Sequence, residues 1–81
     1  MLNVKVFPDH EMFEIGTECA ATLTKLGEFM KKIDKDETVH LVSDDPMADL
    51  ELIRWTDQNN QDLIELRKEK NLFHFVIKKV E

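Results

Sequence analysis

The chain has 81 residues, 42% of them hydrophobic and 35% charged, with a formal net charge of −6. That length fits one domain covering residues 1–81 with a modest core, and the composition suits a folded soluble chain, not a disordered one. No apolar run approaches the roughly 18 residues that span a bilayer, the acidic balance disfavours a nucleic-acid binder, which needs a basic face, and a single cysteine cannot form an internal disulfide.

The opening residues MLNVKVFPDHE lack the apolar core of a signal peptide. Together with the lone cysteine this leads to an expected cytoplasmic location. Leu2, Val4 and Val6 alternate with Asn3 and Lys5 as in a strand, and Pro8-Asp9 breaks the pattern. A second short apolar stretch, Met12 to Ile15, ends at Gly16. Either stretch can supply the first strand of a sheet. A helix is expected from Cys19 or Ala20 to Ile33, with Leu23, Leu26, Met30 and Ile33 on its apolar stripe and Phe29 widening it. Thr22, Lys25, Glu28, Lys31 and Lys32 fall on its other faces, and the two closing lysines complement the helix dipole.

Asp34-Lys35-Asp36 reads as a turn, and the β-branched run TVHLVS, Thr38 to Ser43, as a strand. Asp45 suits an N-cap and Pro46 a first helical residue, so a second helix is expected from there to about Asp57. Met47, Leu50 and either Ile53 or Trp55 would face the sheet. Gln58-Asn59-Asn60 closes that helix. Asp62 to Glu69 alternates only in part, because Leu63 and Leu66 are out of register by one. Leu72 to Val80 places Phe73, Phe75 and Ile77 on one face, and Lys70-Asn71 makes the turn between the two strands, with asparagine suited to positive φ. The order βαβαββ predicts an α+β fold, a two-layer α/β sandwich with two helices on one face of a four-stranded mixed sheet.

Few residues carry chemistry. Cys19 stands at the expected start of the first helix, where unpaired N–H groups and the helix dipole favour a thiolate. The dipole amounts to roughly 0.3–1 kcal/mol, and Glu14 and Glu18 oppose it, so a modestly activated thiol is expected. An inert cysteine packed beneath the helix explains the position as well. His10, His40 and His74 lack metal-ligand spacing, and no metal site is expected. His40 and His74 lie in strands and alternate to one sheet face, as ordinary surface or half-buried histidines. His10 is the one histidine whose place in the chain lets it approach Cys19. Lys68, Lys70, Lys78 and Lys79, with Lys31 and Lys32, read as solvated lysines. Ser43 lacks a nucleophile-elbow context, two glycines cannot cradle a phosphate, no cofactor is expected, and Trp55 reads as a packing anchor.

Several of these pieces, in this order, resemble the TusA/SirA-like sulfur-carrier family. Gly16 lies three residues before Cys19, a helix of similar length follows, and the strand TVHLVS runs into Asp44-Asp45-Pro46 at the second helix. Glu51-Leu52-Ile53-Arg54-Trp55 and the basic closing strand Val76-Ile77-Lys78-Lys79 extend the likeness over roughly residues 9–80. The family's Cys-Pro-x-Pro is here Cys19-Ala20-Ala21-Thr22, and an aspartate six residues before the cysteine is replaced by Phe13. The resemblance implies a carrier: Cys19 accepts a sulfane sulfur as a persulfide from a cysteine desulfurase or rhodanese-like donor and passes it to an acceptor protein. The alternative is a member of the same fold that has lost transfer chemistry and works as an interaction or regulatory module. A nucleic-acid binder is disfavoured by charge, and no membrane partner is expected.

Overall fold

The computed structural model describes residues 8–80. The elements are β1 (His10–Glu14), α1 (Cys19–Lys32), β2 (Thr38–Ser43), α2 (Ala48–Gln58), β3 (Asp62–Glu69) and β4 (Leu72–Lys78). The second of the two N-terminal apolar stretches therefore supplies the first strand. The pattern at Leu2, Val4 and Val6 lies outside the described residues.

The sheet order is β1-β2-β4-β3. β1 and β2 are parallel, while β4 pairs antiparallel with β2 on one side and β3 on the other. Parallel neighbours need a long crossover, and α1 is that crossover. Alternation then sorts the side chains. Val39 and Leu41 of β2 and Phe73, Phe75 and Ile77 of β4 share a core with Leu26, Met30 and Ile33 of the first helical segment and with Ala48 and Leu52 of α2. Both helices thus cover one face of a mixed four-stranded sheet, the two-layer arrangement that the element order predicts.

Four local readings change. The buried stripe of α1 is Cys19, Thr22, Leu26 and Met30, so Thr22 belongs to the core and not to the polar faces. Its position, four residues before Leu26, outweighs its residue type. Its Oγ1 is buried without a hydrogen-bond partner among the described residues. In α2 the buried residues are Ala48, Leu52 and Thr56, with Trp55 packed partly against the core. The expected sheet-facing residues Met47, Leu50 and Ile53 are 51%, 56% and 46% exposed. The small Ala48 lets α2 approach on that side, and Thr56 satisfies its hydroxyl on the carbonyls of Leu52 and Ile53, both at 3.0 Å.

In β3 the pairing with β4 shifts between Leu63 and Glu65. Ile64 is the extra residue of a β-bulge, which returns both Leu63 and Leu66 to the helix-facing side and resolves their broken alternation. In the β3–β4 turn the positive φ, 60°, falls on Lys70 and not on Asn71. The two-residue turns that match strand twist require positive φ at the first central position, so geometry overrides the preference of asparagine.

The ends of the elements are tied. Asn60, with φ 57°, terminates α2, and Gln61 N–H reaches the Thr56 carbonyl at 2.9 Å while Asn60 N–H reaches that of Asp57 at 3.4 Å. This is a Schellman arrangement. Lys79 Nζ donates to the Ile33 carbonyl beyond α1 at 2.8 Å. Asp9 brackets the start of β2, its N–H donating to the Thr38 carbonyl at 3.1 Å and its Oδ2 accepting from Thr38 N–H at 3.0 Å.

Because the Thr22 hydroxyl is buried and unpaired, its desolvation is uncompensated. Thr22→Val keeps the shape and removes the hydroxyl. It should raise unfolding stability by about 1 kcal/mol in urea denaturation; a loss of stability would show that the hydroxyl has a partner in solution.

Candidate functional site

Cys19 opens α1 after a short loop from β1. Gly16 takes φ 75°, a left-handed conformation that costs a glycine little. Glu18 is the N-cap residue of α1, yet its side chain makes no capping bond. The missing acceptor comes from the β2–α2 junction. Asp45 Oδ2 accepts the Cys19 N–H at 3.0 Å, and Asp44 Oδ1 accepts the Gly16 N–H at 2.9 Å.

Asp45 has a second task. Its Oδ1 accepts the Met47 N–H at 2.8 Å, while its own carbonyl accepts the Ala48 N–H at 3.0 Å. The expected N-cap at Asp45 moves to Met47, which no side chain caps; Asp45 closes the turn just before it. Regular helix begins only at Ala48, because Pro46 and Met47 form a tight turn first. One carboxylate thus serves the starts of both helices, with one oxygen to each.

This decides the electrostatics of the thiol. Cys19 is 9% exposed. Burial pushes its thiol above the ordinary value, and the carboxylates of Asp45 and then Glu51 push it the same way. The expected modest activation is overturned: the favourable field at the start of α1 is already occupied by the Asp45 carboxylate, which leaves little to stabilise a thiolate. The opposing charges are also not the ones nearest in sequence. Glu14 turns to Lys25 Nζ at 3.2 Å instead.

The three histidines lie elsewhere. His10 Nε2 contacts Glu37 Oε1 at 3.0 Å, and its ring meets Phe29 edge-on with centroids 5.2 Å apart. It sits at the opposite end of β1 from the loop to Cys19 and does not serve the thiol. His40 and His74 do share a sheet face, as alternation predicts, and they are in contact: His40 Nε2 is 3.0 Å from His74 Nδ1. Among the described residues no group of three His, Cys, Asp or Glu is arranged to hold a metal ion. The lysines are dispersed, with Lys68 over the Phe73 ring at 5.3 Å and Lys78 near Asp36 at 3.8 Å.

A cleft of about 220 Å³ lies between the helices, lined by Gly27, Met30, Lys31, Trp55, Asn59, Gln61 and Lys79. Trp55 is the half-buried anchor of that cleft. Cys19 is three helical turns away from Met30 and does not line it. On the two segments that meet at Asp45, the exposed large apolar residues are Ile15 before the Gly16 loop and Met47 and Leu50 after Asp45. The thiol therefore stands at a junction of two loops flanked by apolar surface.

Comparison with known proteins agrees with this architecture. Residues 14–79 match the family described as Sulfurtransferase TusA. The chain belongs to that family. A protein of Archaeoglobus fulgidus named "Putative sulfur carrier protein" is 24% identical over 66 residues, which cover 82% of this chain and 90% of the relative. Against the Cys-Pro-x-Pro of the TusA family, Ala20 and Thr22 stand where the prolines would be. Thr22 N–H donates to the Glu18 carbonyl at 3.0 Å, a bond that a proline there would not make.

The sequence places Cys19 at the start of α1, where the structure has it, but not the partners of its N–H. Asp45 was legible as a residue of the second helix start, and only the fold brings it to α1 as well. Asp45→Ala should lower stability by about 1–3 kcal/mol through the loss of two capping acceptors, read by urea denaturation; a change near zero would mean that water replaces them. Glu51→Gln leaves those bonds alone and removes one negative charge. The pH midpoint of Cys19 alkylation should fall, speeding the reaction at neutral pH by less than about tenfold, whereas an unmoved midpoint would remove Glu51 from the account.

Proposed function

We propose that this protein is a sulfur carrier of the TusA type that holds a sulfane sulfur as a persulfide on Cys19. The observation that carries the reading is the position of Cys19, the chain's only thiol, at the start of α1 in a chain of the TusA family. The name of the archaeal relative supports it.

The reaction is an exchange without net redox change. The Cys19 thiolate attacks the outer sulfur of a donor persulfide, carried by a cysteine desulfurase or a rhodanese-like protein. A new S–S bond forms to Cys19, the donor's own S–S bond breaks, and the donor thiolate leaves with the bonding pair. An acceptor thiolate then attacks the outer sulfur, and the Cys19 thiolate is the leaving group. With no second cysteine in the chain, no internal thiol can displace that sulfur as a disulfide.

The raised thiol pKa acts on both halves of this cycle. It keeps the thiolate fraction low at neutral pH and so slows loading in free solution. A thiol of high pKa is also a poorer leaving group, so the bound sulfur is retained for longer. Docking of a partner over Ile15, Met47 and Leu50 is the natural point at which the 9% exposed thiol becomes accessible.

The covered thiol also favours a second reading, in which the chain is an interaction module of the family without transfer chemistry. Intact-mass spectrometry separates the two. Reduced protein is incubated with a cysteine desulfurase plus cysteine, or with thiosulfate and a rhodanese, beside Cys19→Ser. The carrier gains the mass of one sulfur only when Cys19 is present, and reductant removes it. No gain from any donor, with slow alkylation of Cys19, would establish the module; persulfide on the Cys19→Ser protein would refute the assignment to Cys19.

A further inference from the structure

The sheet face opposite the helices carries a row of titratable groups that the sulfur chemistry does not use. His40 lies between Val39 and Leu41, and His74 between Phe73 and Phe75, all four turned into the core. Both imidazoles therefore emerge on the other face. Their rings are near parallel, at 13°, and meet edge to edge, with centroids 5.2 Å apart. The row crosses all four strands: Glu11 Oε2 of β1 is 3.4 Å from His40 Nδ1, His40 Nε2 is 3.0 Å from His74 Nδ1, and His74 Nε2 is 3.6 Å from Glu69 Oε1 of β3.

Proton counting shows what this row is built for. A carboxylate only accepts, so His40 Nδ1 is satisfied as N–H by Glu11, and Glu69, at ion-pair distance from His74 Nε2, favours a proton there. The contact between the two rings needs one proton and no more. With none, two lone pairs face each other; with two, two N–H groups collide. The row therefore closes with three protons on two imidazoles. Two neutral rings carry two, and two imidazolium ions carry four.

We propose that His40 and His74 form a binding site for a single proton, shared along the Nε2–Nδ1 contact and held between Glu11 and Glu69. The charged groups facing the pair among the described residues are Glu11 from β1 and Glu65, Arg67 and Glu69 from β3. Arg67 is itself paired with Glu69 and with Glu65, the latter at 2.9 Å, and its register partner in β4 is His74. The first proton meets two carboxylates. A second would place two cations side by side next to a guanidinium. His74 responds in that sense: its pKa is lowered by burial first, then by Arg67 and His40, against the opposing pull of Glu69 and Glu65.

The site has a consequence for stability. An unfolded histidine takes its proton near ~6.5, whereas folded His74 resists it. The unfolded state therefore binds more protons below that pH, and stability falls as the pH drops through ~6.5 toward the lowered folded value. Where the shared proton is bound, it links the two central strands through the imidazole pair.

The test is an NMR titration of the ring C–H resonances of His40 and His74, with His10 as an internal reference, in the native protein and in His40→Gln and His74→Gln. The native pair should move together in a first step that takes up one proton, with a second step more than about one pH unit lower. In His40→Gln, His74 should titrate as one site with its midpoint raised from that second step. Should either variant fail to fold, Glu11→Gln and Glu69→Gln serve instead, and each should lower the midpoint of the first step. Two independent one-proton curves with coincident midpoints, unmoved by replacing the neighbour, would overturn the shared-proton site.

Discussion

The carboxylate of Asp45 is the constraint on which the Cys19 end of this molecule depends. A helix start leaves N–H groups without partners, and this fold brings two helix starts together where the Gly16–Cys19 loop meets the β2–α2 junction. Glu18 does not cap its own helix. Asp45 supplies one oxygen to Cys19 N–H and the other to Met47 N–H, and Ser43 Oγ in turn accepts the Asp45 N–H at 3.2 Å. The end of β2, the start of α1 and the start of α2 are thereby fixed to one another by a single side chain and its support.

The same contact sets the character of the thiol. A helix start can stabilise a thiolate or a carboxylate, and in this chain the carboxylate occupies the favourable position. Cys19 is left buried, beside negative charge, with a raised pKa. The family's prolines would also have left N–H groups absent at two positions of the first helical turn. With Ala20 and Thr22 in their place the helix keeps the Thr22 N–H bond to Glu18 and takes the Thr22 hydroxyl into its core. A regular helix start and a covered thiol go together here.

What could be read from the sequence follows periodicity. β2 and β4 run apolar or alternate, so both their positions were legible, and for β4 its core face as well. So was α1, whose register was misplaced only where a polar Thr22 sits on the apolar stripe. The failures have a common cause, which is that an interaction outside the element decides them. The bulge at Ile64 is imposed by pairing with β4, the φ of Lys70 by strand twist, and the second role of Asp45 by the approach of two loops. The contact of His40 with His74 arises because β4 pairs directly with β2, which strand patterns do not specify.

The misread face of α2 has the widest consequence. Its sequence carries two apolar stripes, Ala48-Leu52-Thr56 with Trp55, and Met47-Leu50-Ile53, and periodicity alone cannot say which one the sheet takes. The sheet takes the stripe with the small residue and the self-satisfied threonine, because that side permits close approach. The larger residues are turned outward. Isolated exposed apolar side chains need no explanation, but here three follow one helix face that begins beside Asp45 and therefore beside Cys19. A carrier does its chemistry on the surfaces of other proteins and has no need to enclose a small substrate. An apolar helix face that starts at the Asp45 junction, away from the cleft at Trp55, is the surface on which the proposed carrier would meet its partners.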